Sequence, residues 1–477
     1  MFLNDRRTKM VCTIGPSSSS PEIMEHLIRS GMDVVRLNFS HGSHEIHKKN
    51  IETIRELSDK LGVNLPILMD LQGPKIRVGR MKGEGANLKN DTYVKLSPDD
   101  IEGDNKVIPI DYDNLAEDVK QGDTILLDDG LMELKVVKIT ESDITAKVIN
   151  GGFLKPRKGV NLPNVKTSIS AITDKDIRDL EFGLKQEVDF VAISFVRTAA
   201  DVQDLISRVR VLGSNAGIIA KIEKPEALHE IDEIIQQADG IMVARGDLGI
   251  EIASERVPLI QKDIIRKCKI AGKPVITATQ MLESMMNNPR PTRAESSDVA
   301  NAVLDGTDAV MLSGESAAGM FPVEAVRTMD KICRNIESKA ETIYQTLDFV
   351  QPEWREKQII ESLSYSCVTI GEAVEAKVIA TITHSGTTAR RVAKFRPSIP
   401  VIAFTESAEV RRQLNLVWGV TSIQLDALFD TDISVKRMED YLKKSGVVKT
   451  GDRVVVATGM PISRRGSTNM IKVSIIE

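Results

Sequence analysis

The sequence has little cysteine and no long uncharged apolar run. Four cysteines occur among 477 residues, Cys12, Cys268, Cys333 and Cys367, and no two of them have the Cys-x-x-Cys spacing of a zinc or redox site. Such scattered cysteines argue against a disulfide framework and favour buried free thiols. No apolar run reaches the ~18 residues that a membrane span needs, and Met1–Lys9 is too short and too charged for a signal peptide. We therefore expect a cytoplasmic protein that does not act at a membrane.

An excess of one charge is missing as well. The chain carries 63 Lys and Arg residues against 68 Asp and Glu residues, which leaves a formal net charge of −5. Proteins that bind nucleic acid usually show a clear basic excess, so we expect no nucleic-acid partner. Hydrophobic residues make up 42% and charged residues 27% of the chain, and this balance excludes wholesale disorder.

The common nucleotide-binding motifs are also absent. Gly272-Lys273 continues into proline instead of completing a P-loop, and the glycines at 83 and 85 lack the third glycine of a dinucleotide loop. Neither HRD nor DFG occurs, which excludes a protein-kinase-like site. The stretch from His44 to His47 lacks one residue of the zinc motif HExxH, so we interpret it as a solvated helix face.

What the sequence does contain is a regular alternation of apolar runs and helix-length amphipathic stretches, which predicts parallel strands with helical crossovers. Eight such units indicate a (β/α)8 TIM barrel, assigned to residues 1–73 and 171–341. The predicted barrel strands are Lys9–Ile14, Asp33–Asn38, Leu65–Asp70, Val188–Phe195, Gly217–Ile222, Gly240–Arg245, Pro274–Thr279 and Asp308–Ser313.

Two further domains are predicted. Residues 74–170 have short alternating runs and Gly, Asp and Asn punctuation, which is typical of a small all-β domain inserted in a barrel loop. Residues 342–477 resume the strand and helix alternation and predict a C-terminal open α/β sheet domain. Its predicted strands are Lys377–Thr383, Pro400–Thr405, Val420–Leu425, Arg453–Thr458 and Ile471–Ile476.

Polar residues close six of the eight predicted barrel strands, at the end where barrel active sites lie. They are Arg36 with Asn38, Asp70, Lys221 with Glu223, Arg245 with Asp247, Thr279 with Gln280, and Ser313 with Glu315. Charges at the ends of apolar strands are costly to bury unless they pair with one another, a metal or a ligand. An ion-pair network without a ligand is the alternative, but six such ends together favour a site.

The residue types favour phosphoryl chemistry. Glu223 and Asp247 offer two hard oxygen ligands on neighbouring strands, which suits Mg²⁺ or Mn²⁺ with its other ligands from water and substrate. Arg36, Lys221 and Arg245 supply fixed positive charge that could neutralise a phosphoryl group in transfer.

Six segments together resemble the signature segments of pyruvate kinases, and the resemblance runs from Thr8 to Ile476. The segments are RLNFSHG at Arg36–Gly42, DLQGPKIR at Asp70–Arg77, ARGDLGIE at Ala244–Glu251, TATQMLESM at Thr277–Met285, PRPTRAE at Pro289–Glu295 and MLSGE at Met311–Glu315. The resemblance implies an enzyme of the last step of glycolysis, which transfers the phosphoryl group of phosphoenolpyruvate to ADP and gives pyruvate and ATP.

Carried over by position, the resemblance implies a role for each matching residue. Glu223 and Asp247 would hold the divalent metal, Arg36 and Lys221 would lie on the phosphoryl group with Lys221 as the main electrophile, and Thr279 would act near the protonated carbon through water. The implied substrate pocket comprises Arg36, Lys221, Arg245, Gly246, Asp247, Thr279 and Ser313. The implied nucleotide contacts are His41, Arg77, Lys158 and Asp129, with Asp128 as the alternative to Asp129, in an inserted domain that closes as a lid.

One segment departs from the commoner family pattern, in which the stretch after the strand-three aspartate reads DTKGPEIR and the enzyme requires K⁺. Here Lys75 stands where a Glu is usual. An ammonium is a compact charge with three donors, so it could satisfy oxygens that would surround a monovalent ion. The matching ion ligands are Asn38, Ser40, Asp70 and Leu71. We therefore expect that K⁺ is not required and that Lys75 supplies the missing charge.

The C-terminal domain carries a loop that resembles the family's effector phosphate loop. Its residues Thr383, Ser385, Gly386, Thr387 and Thr388 follow a predicted strand and open a helix, which suits an anion. A phosphorylated allosteric effector is therefore implied, and Arg464 and Arg465 could join this site. The resemblance also implies a homotetramer of bacterial type without an appended domain.

Two other functions stay open at this point. A phosphoenolpyruvate mutase or lyase would act on enolates but would not need the lid or Lys158. A catalytically silent metabolite sensor would keep the C-terminal phosphate loop, but the intact Lys221, Glu223, Asp247 and Thr279 argue against it.

Overall fold

The computed structural model describes residues 6–140, 143–339, 355–425, 430–462 and 468–477, with the backbone alone at 355–358. The strands, in chain order, are β1 (Lys9–Ile14), β2 (Val34–Asn38), β3 (Ile67–Asp70), β4 (Ala86–Leu88), β5 (Tyr93–Ser97), β6 (Val107–Pro109), β7 (Thr124–Leu127), β8 (Met132–Ile139), β9 (Ile144–Asn150), β10 (Gly152–Leu154), β11 (Val160–Asn161), β12 (Phe190–Ile193), β13 (Gly217–Ile222), β14 (Gly240–Ala244), β15 (Val275–Ala278), β16 (Ala309–Leu312), β17 (Val378–Ile382), β18 (Val401–Thr405), β19 (Val420–Gln424), β20 (Arg453–Thr458) and β21 (Met470–Ile475).

The α-helices alternate with these strands in the barrel and in the C-terminal part. They are α1 (Pro21–Arg29), α2 (His44–Leu61), α3 (Leu115–Asp118), α4 (Asp174–Lys185), α5 (Ala199–Val211), α6 (Glu226–His229), α7 (Ile231–Gln237), α8 (Arg245–Glu251), α9 (Val257–Ala271), α10 (Arg293–Asp305), α11 (Gly314–Ala317), α12 (Pro322–Glu337), α13 (Arg355–Ala373), α14 (Thr387–Ala393), α15 (Ala408–Gln413) and α16 (Thr431–Lys444).

Strands β1 to β3 and β12 to β16 close into a barrel, and every strand runs parallel to its two neighbours. Each of them lies inside one of the eight predicted runs, so the barrel is confirmed. Fully buried apolar strands of this kind need helices on their outer face, and the strand-to-helix cluster around Ile218 and Val243 supplies that packing.

Strands β4 to β11 lie between β3 and α4 and form sheets of their own, separate from the barrel. Six of them build one sheet in the order β11-β7-β8-β9-β5-β6, and β10 pairs with β4. Their alternating inner residues form a separate apolar core that includes Val94, Ile125 and Leu134. We term this part the lid; its bounds at 74 and 170 stay a prediction.

The C-terminal sheet has the order β19-β18-β17-β20-β21, and only its last pair is antiparallel. It covers the floor of the barrel, where the strands begin. Arg396 pairs with Asp308 at 3.0 Å just before β16, and the Lys9 ammonium donates to the Val420 carbonyl at 2.9 Å. The carboxyl ends of the barrel strands, which carry the polar residues, therefore lie at the opposite end of the barrel, where the C-terminal domain does not cover them. The predicted start of this domain at 342 lies outside the described residues.

Among the described helices, none combines the length and the apolar character that a bilayer span requires.

Candidate active site

Strand alternation explains why polar side chains gather at the open end of the barrel. Val34, Leu68, Ala192 and Ile219 belong to the apolar cluster inside the barrel. Side chains two residues apart lie on the same face of a strand. The residues that follow these four by two positions therefore face the same interior at the open end, and they are Arg36, Asp70, Ser194 and Lys221.

These interior residues form one connected ion-pair cluster. Arg36 Nε lies 2.7 Å from Asp70 Oδ2, and the Lys221 ammonium lies 3.2 Å from Asp70 Oδ1. Lys221 also contacts Glu223 Oε1 at 2.8 Å and donates to the Ser194 hydroxyl at 2.7 Å. The structure thus brings together Arg36, Asp70, Lys221 and Glu223, which come from the ends of three strands.

Burial makes the charges of this cluster interdependent. Burial opposes ionisation of Asp70, but the charges of Lys221 and Arg36 outweigh it and hold the pKa of this carboxyl below its ordinary value. Burial also opposes the charged form of Lys221, but Asp70 and Glu223 outweigh it and raise the pKa of the ammonium. Lys221 is therefore a fixed positive charge across the physiological pH range.

Glu223 and Asp247 are the carboxylates that the sequence indicated as ligands of a divalent metal. Burial and the negative charge of Asp247 raise the pKa of Glu223 against the attraction of Lys221, so the two carboxylates repel each other. A divalent cation between them would remove that repulsion. Within the described ranges, no group of three or more His, Cys, Asp or Glu side chains could hold a metal ion. The donor set thus fits a cation such as Mg²⁺ that takes its remaining ligands from water and substrate.

Thr279 is held in place by the first turn of α8 and by the end of its own strand, β15. Its hydroxyl accepts a hydrogen bond from the Gly246 backbone N–H at 2.7 Å and donates to the Ala278 carbonyl at 2.6 Å. The backbone of Thr279 is in the left-handed region, with φ of 68°, which is uncommon for a β-branched residue and is found mostly where surrounding structure enforces it. Thr279 and Gly246 are therefore brought together as a unit.

Arg245 and Ser313 have mainly local partners. The Arg245 guanidinium donates to the Thr279 carbonyl and to Asp298, each at 2.7 Å, so it secures the end of β15. The Ser313 backbone N–H donates to Glu315 at 2.8 Å, and the same carboxylate accepts from the Leu282 backbone N–H at 3.0 Å.

The residues matched to a monovalent ion lie along the same rim. The Asn38 side-chain oxygen accepts from the Ser40 backbone N–H at 3.1 Å, and the Leu71 carbonyl accepts from the Ser194 hydroxyl at 2.8 Å. Asp70 already pairs with Arg36 and Lys221. Lys75 lies beside another segment of the lid, since its Cε atom lies 3.6 Å from the point that a Cβ atom on Gly159 would occupy.

The nucleotide candidates of the lid lie on the turn after β7 and on the two segments next to it. Lys158 pairs with Asp128 at 2.8 Å, and that hydrogen bond raises the pKa of Lys158. Asp129 lies beside Gly159, whose hypothetical Cβ atom is 3.6 Å from Asp129 Oδ1. Arg77 bridges to Gly159 through the backbone. Asp128, the alternative to Asp129, is thus already paired with Lys158.

His41, the nucleotide candidate of the barrel, is exposed on the loop after β2. A ring nitrogen of His47 lies 2.9 Å from the His41 carbonyl oxygen, and the His47 ring stacks on Phe39 at 4.0 Å. The stretch from His44 to His47 is thus not simply a solvated face, because His47 is buried and fixes this loop.

The effector candidates form a compact loop in the C-terminal sheet. The Thr383 hydroxyl accepts from the Gly386 backbone N–H at 2.9 Å, the hydroxyls of Ser385 and Thr387 lie 2.9 Å apart, and Thr388 contacts Thr468 at 2.7 Å. Arg464 and Arg465 lie outside the described residues.

Sequence reasoning missed two residues of the barrel cluster. Ser194 accepts from Lys221, and Thr13 accepts from Arg36 Nη1 at 2.9 Å. Thr13 and Ser194 follow the interior residues Val11 and Ala192 by two positions. The two-residue alternation of a strand could therefore have indicated that both face the barrel interior. Their small uncharged side chains gave no further sign of a site.

Comparisons with known proteins agree with this arrangement. Residues 5–326 match the family description "Pyruvate kinase, barrel domain" and residues 361–474 match "Pyruvate kinase, alpha/beta domain". The chain is 45% identical over 473 residues to the pyruvate kinases of Staphylococcus aureus strains MRSA252 and USA300, covering 99% of this chain and 80% of theirs.

A solved structure agrees in fold. The crystal structure of a pyruvate kinase from Cryptosporidium parvum superposes with a TM-score of 0.91 at 38% identity, covering 99% of this chain and 97% of the other. Matches at both levels extend over the barrel and the C-terminal domain. The chain therefore belongs to the pyruvate kinase family, the divalent-metal-dependent enzymes that transfer the phosphoryl group of phosphoenolpyruvate to ADP.

Proposed function

We propose that the buried cluster of Arg36, Asp70, Lys221 and Glu223 is the phosphoryl-transfer centre of this enzyme. The observation that carries this proposal is the position of the Lys221 ammonium, 12% exposed at the open end of the barrel and within 3.2 Å of two carboxylates. A fixed cation in a site shielded from water stabilises the charge on a transferring phosphoryl group without reorganising at the moment of reaction.

The roles follow from the contacts. Lys221 and Arg36 neutralise the phosphoryl oxygens. Asp70 forms an ion pair with each of these two side chains and so fixes their positions. Thr279, oriented by Gly246, acts through water where the enolate carbon takes up its proton. Arg245 and Ser313 complete the substrate pocket by fixing the ends of their strands.

Glu223 and Asp247 hold the divalent cation, preferably Mg²⁺, with Mn²⁺ as the alternative. When bound, the cation neutralises charge on the substrate and on the transferring group. Lys75 supplies the charge for which related enzymes use K⁺, so the set of Asn38, Ser40, Asp70 and Leu71 does not require that ion.

The lid supplies the nucleotide contacts. Lys158 and Asp129 approach the bound nucleotide when the lid closes, Arg77 lies on the adjoining strand segment, and His41 contacts the nucleotide from the barrel. Closure sequesters the transferring group from water, which favours transfer to ADP over hydrolysis.

Regulation and assembly complete the proposal. The loop with Thr383, Ser385, Gly386, Thr387 and Thr388 binds a phosphorylated effector that activates the enzyme. The chain works as a homotetramer in the cytoplasm.

The experiment is a measurement of pyruvate formation from phosphoenolpyruvate, with and without ADP and with and without Mg²⁺. We expect pyruvate only when both are present. Pyruvate formation independent of ADP would refute the proposal and would favour a lyase or hydrolase.

A further inference from the structure

A buried carboxylate connects the lid to the barrel. Glu251 is the last residue of α8, and its side chain is 1% exposed. Glu251 Oε1 accepts from the Asn161 amide of lid strand β11 at 2.9 Å and from the Lys224 ammonium at 2.6 Å. The other oxygen, Oε2, is buried without a hydrogen-bond partner among the described residues.

The partners of Glu251 are next to the catalytic residues in the chain. Lys224 follows Glu223 directly, and α8 carries Asp247 in its first turn. Asn161 pairs with Leu126 in β7, the strand that leads into Asp128 and Asp129. Glu251 therefore links its own helix, which carries Asp247, to the segment after Glu223 and to β11, which pairs with the strand before the nucleotide turn.

A second contact indicates that the lid rests on α8 at this position. A Cβ atom on Gly130 would lie 3.7 Å from Ile250 Cγ2, so the turn that includes Asp129 packs against the residue before Glu251. The polar contact and this apolar contact are adjacent. Together they define a docking point for the lid.

We propose that Glu251 is a positioning residue that receives the lid on closure, with Asn161 as its counterpart. A charged acceptor binds an amide donor more strongly than a neutral one does. Opening the lid removes the Asn161 donor, and water can then reach the carboxylate, so the contact is reversible. The same closure fixes α8 with Asp247 and Lys224 with Glu223. This inference rests on the proposed nucleotide role of the lid.

The test compares substitutions at Asn161 in the otherwise intact enzyme. Asn161→Ala removes the donor, and we expect KM for ADP to rise about tenfold, a change that corresponds to one hydrogen bond to a charged group. KM for phosphoenolpyruvate should stay within about twofold, because that substrate binds in the barrel. Asn87→Ala is the matched control, since Asn87 is exposed on lid strand β4.

Asn161→Asp separates a polar contact from simple packing. It is nearly the same size as asparagine but would place a second carboxylate beside Glu251. If Glu251 receives the lid, Asn161→Asp raises KM for ADP more than Asn161→Ala does. If Asn161 only fills space, the aspartate is the milder change, and that order would overturn the proposal.

Two further measurements do not depend on a single variant. In a double-mutant cycle, Asn161→Ala and Glu251→Gln should be clearly non-additive in KM for ADP, whereas additive effects contradict a direct contact. Hydrogen exchange of the segment 157–163 with saturating ADP and Mg²⁺ should show protection in the parent and less in Asn161→Ala; equal protection contradicts the proposal.

A parent without ADP-dependent activity would refute the proposed function, whereas an active parent with unaffected variants refutes only this inference.

Discussion

At the scale of single residues, the proposed chemistry depends on the Lys221 ammonium, whose pKa is raised because Asp70 and Glu223 outweigh the effect of its burial. Lys221 contacts Asp70, Glu223 and Ser194 within 3.2 Å. We expect Lys221→Met to lower kcat by roughly a thousandfold or more, because methionine keeps the length but removes the charge that the transition state needs. KM for phosphoenolpyruvate should change much less, and steady-state kinetics measure both.

Lys48→Met is the control for this substitution, since Lys48 lies on the exposed face of α2 with its side chain 56% exposed. It should leave kcat unchanged. A decrease of less than about tenfold in Lys221→Met would show that another group carries the electrostatic role.

Lys75 is the residue that we expect to decide whether turnover depends on monovalent cations. We expect turnover of the parent to be independent of K⁺, because its ammonium adds positive charge where the commoner family pattern has a glutamate. Lys75→Glu should make turnover dependent on K⁺. The measurement is turnover in a buffer free of Na⁺ and K⁺, with a bulky organic cation to maintain ionic strength.

Lys89→Glu makes the same change of two charges at an exposed lid position and should not create dependence on K⁺. Activation of the parent by K⁺ of tenfold or more would mean that Lys75 does not replace the ion. Lys75 lies beside Gly159 of the lid. If Lys75 replaces K⁺, its ammonium therefore supplies the positive charge from the lid side of the active-site cleft.

At the scale of elements, one helix start joins the lid to the barrel. Asp176 closes a capping box with Thr173 at the start of α4 and accepts from the Gly73 backbone N–H at 3.1 Å. Gly73 precedes the lid and Thr173 follows it. The Asp176 carboxylate therefore binds both chain segments that connect the lid to the barrel. Burial of Asp176 makes its loss costly, because the freed donors find no replacement.

We therefore expect Asp176→Ala to lower the free energy of unfolding of the barrel by roughly 2 kcal/mol or more, the sum of a lost cap and an unsatisfied buried donor. Urea unfolding followed by circular dichroism measures the change. Asp201→Ala is the comparison, since Asp201 closes the capping box of α5 without contact to a lid crossing. A loss no larger than that of Asp201→Ala would contradict the role of Asp176 at the junction.

The loop before α14 allows a prediction about regulation. Thr383 shapes the loop through Gly386, whereas the Ser385 hydroxyl lies on its exposed side. We expect Thr383→Ala combined with Ser385→Ala to abolish activation by a phosphorylated effector and to leave activity at saturating phosphoenolpyruvate intact. Rate measurements over a panel of sugar phosphates and nucleotides test this.

Ser398→Ala in the same domain is the control and should respond like the parent. If the double variant were still activated by every compound that activates the parent, the effector would bind elsewhere.

At the scale of the whole molecule, the two ends of the barrel have different roles. The C-terminal domain covers the floor through pairs such as Arg396 with Asp308. The lid covers the open end through contacts such as Asn161 with Glu251. The charged cluster therefore lies between the C-terminal domain and the lid, an arrangement that suits a reaction from which water must be excluded.

The sequence predicted the strands and the charged residues of the site because both follow from local pattern. Strand β13 coincides with its predicted run, because a buried strand is recognised from a short series of consecutive apolar residues. Lys221 and Glu223 stand out because charge is rare at the end of such a run.

Contacts between distant segments were not predictable in the same way. Ser194 is one of many serines, and nothing near it in the chain indicates that Lys221 donates to it. Asn161 and Glu251 meet only because the lid folds over α8, a contact across ninety positions. The orientation of Lys75 likewise depends on where the lid brings Gly159.

This chain belongs to a family whose members move the phosphoryl group of phosphoenolpyruvate intact onto ADP. The most direct measurement is phosphorus NMR of the purified enzyme with phosphoenolpyruvate, ADP and Mg²⁺. We expect the phosphoenolpyruvate resonance to be replaced by the γ-phosphate resonance of ATP in equal amount, and Lys221→Met to show neither change on the same timescale. Conversion to inorganic phosphate, or to a resonance of a carbon–phosphorus bond, would contradict the account.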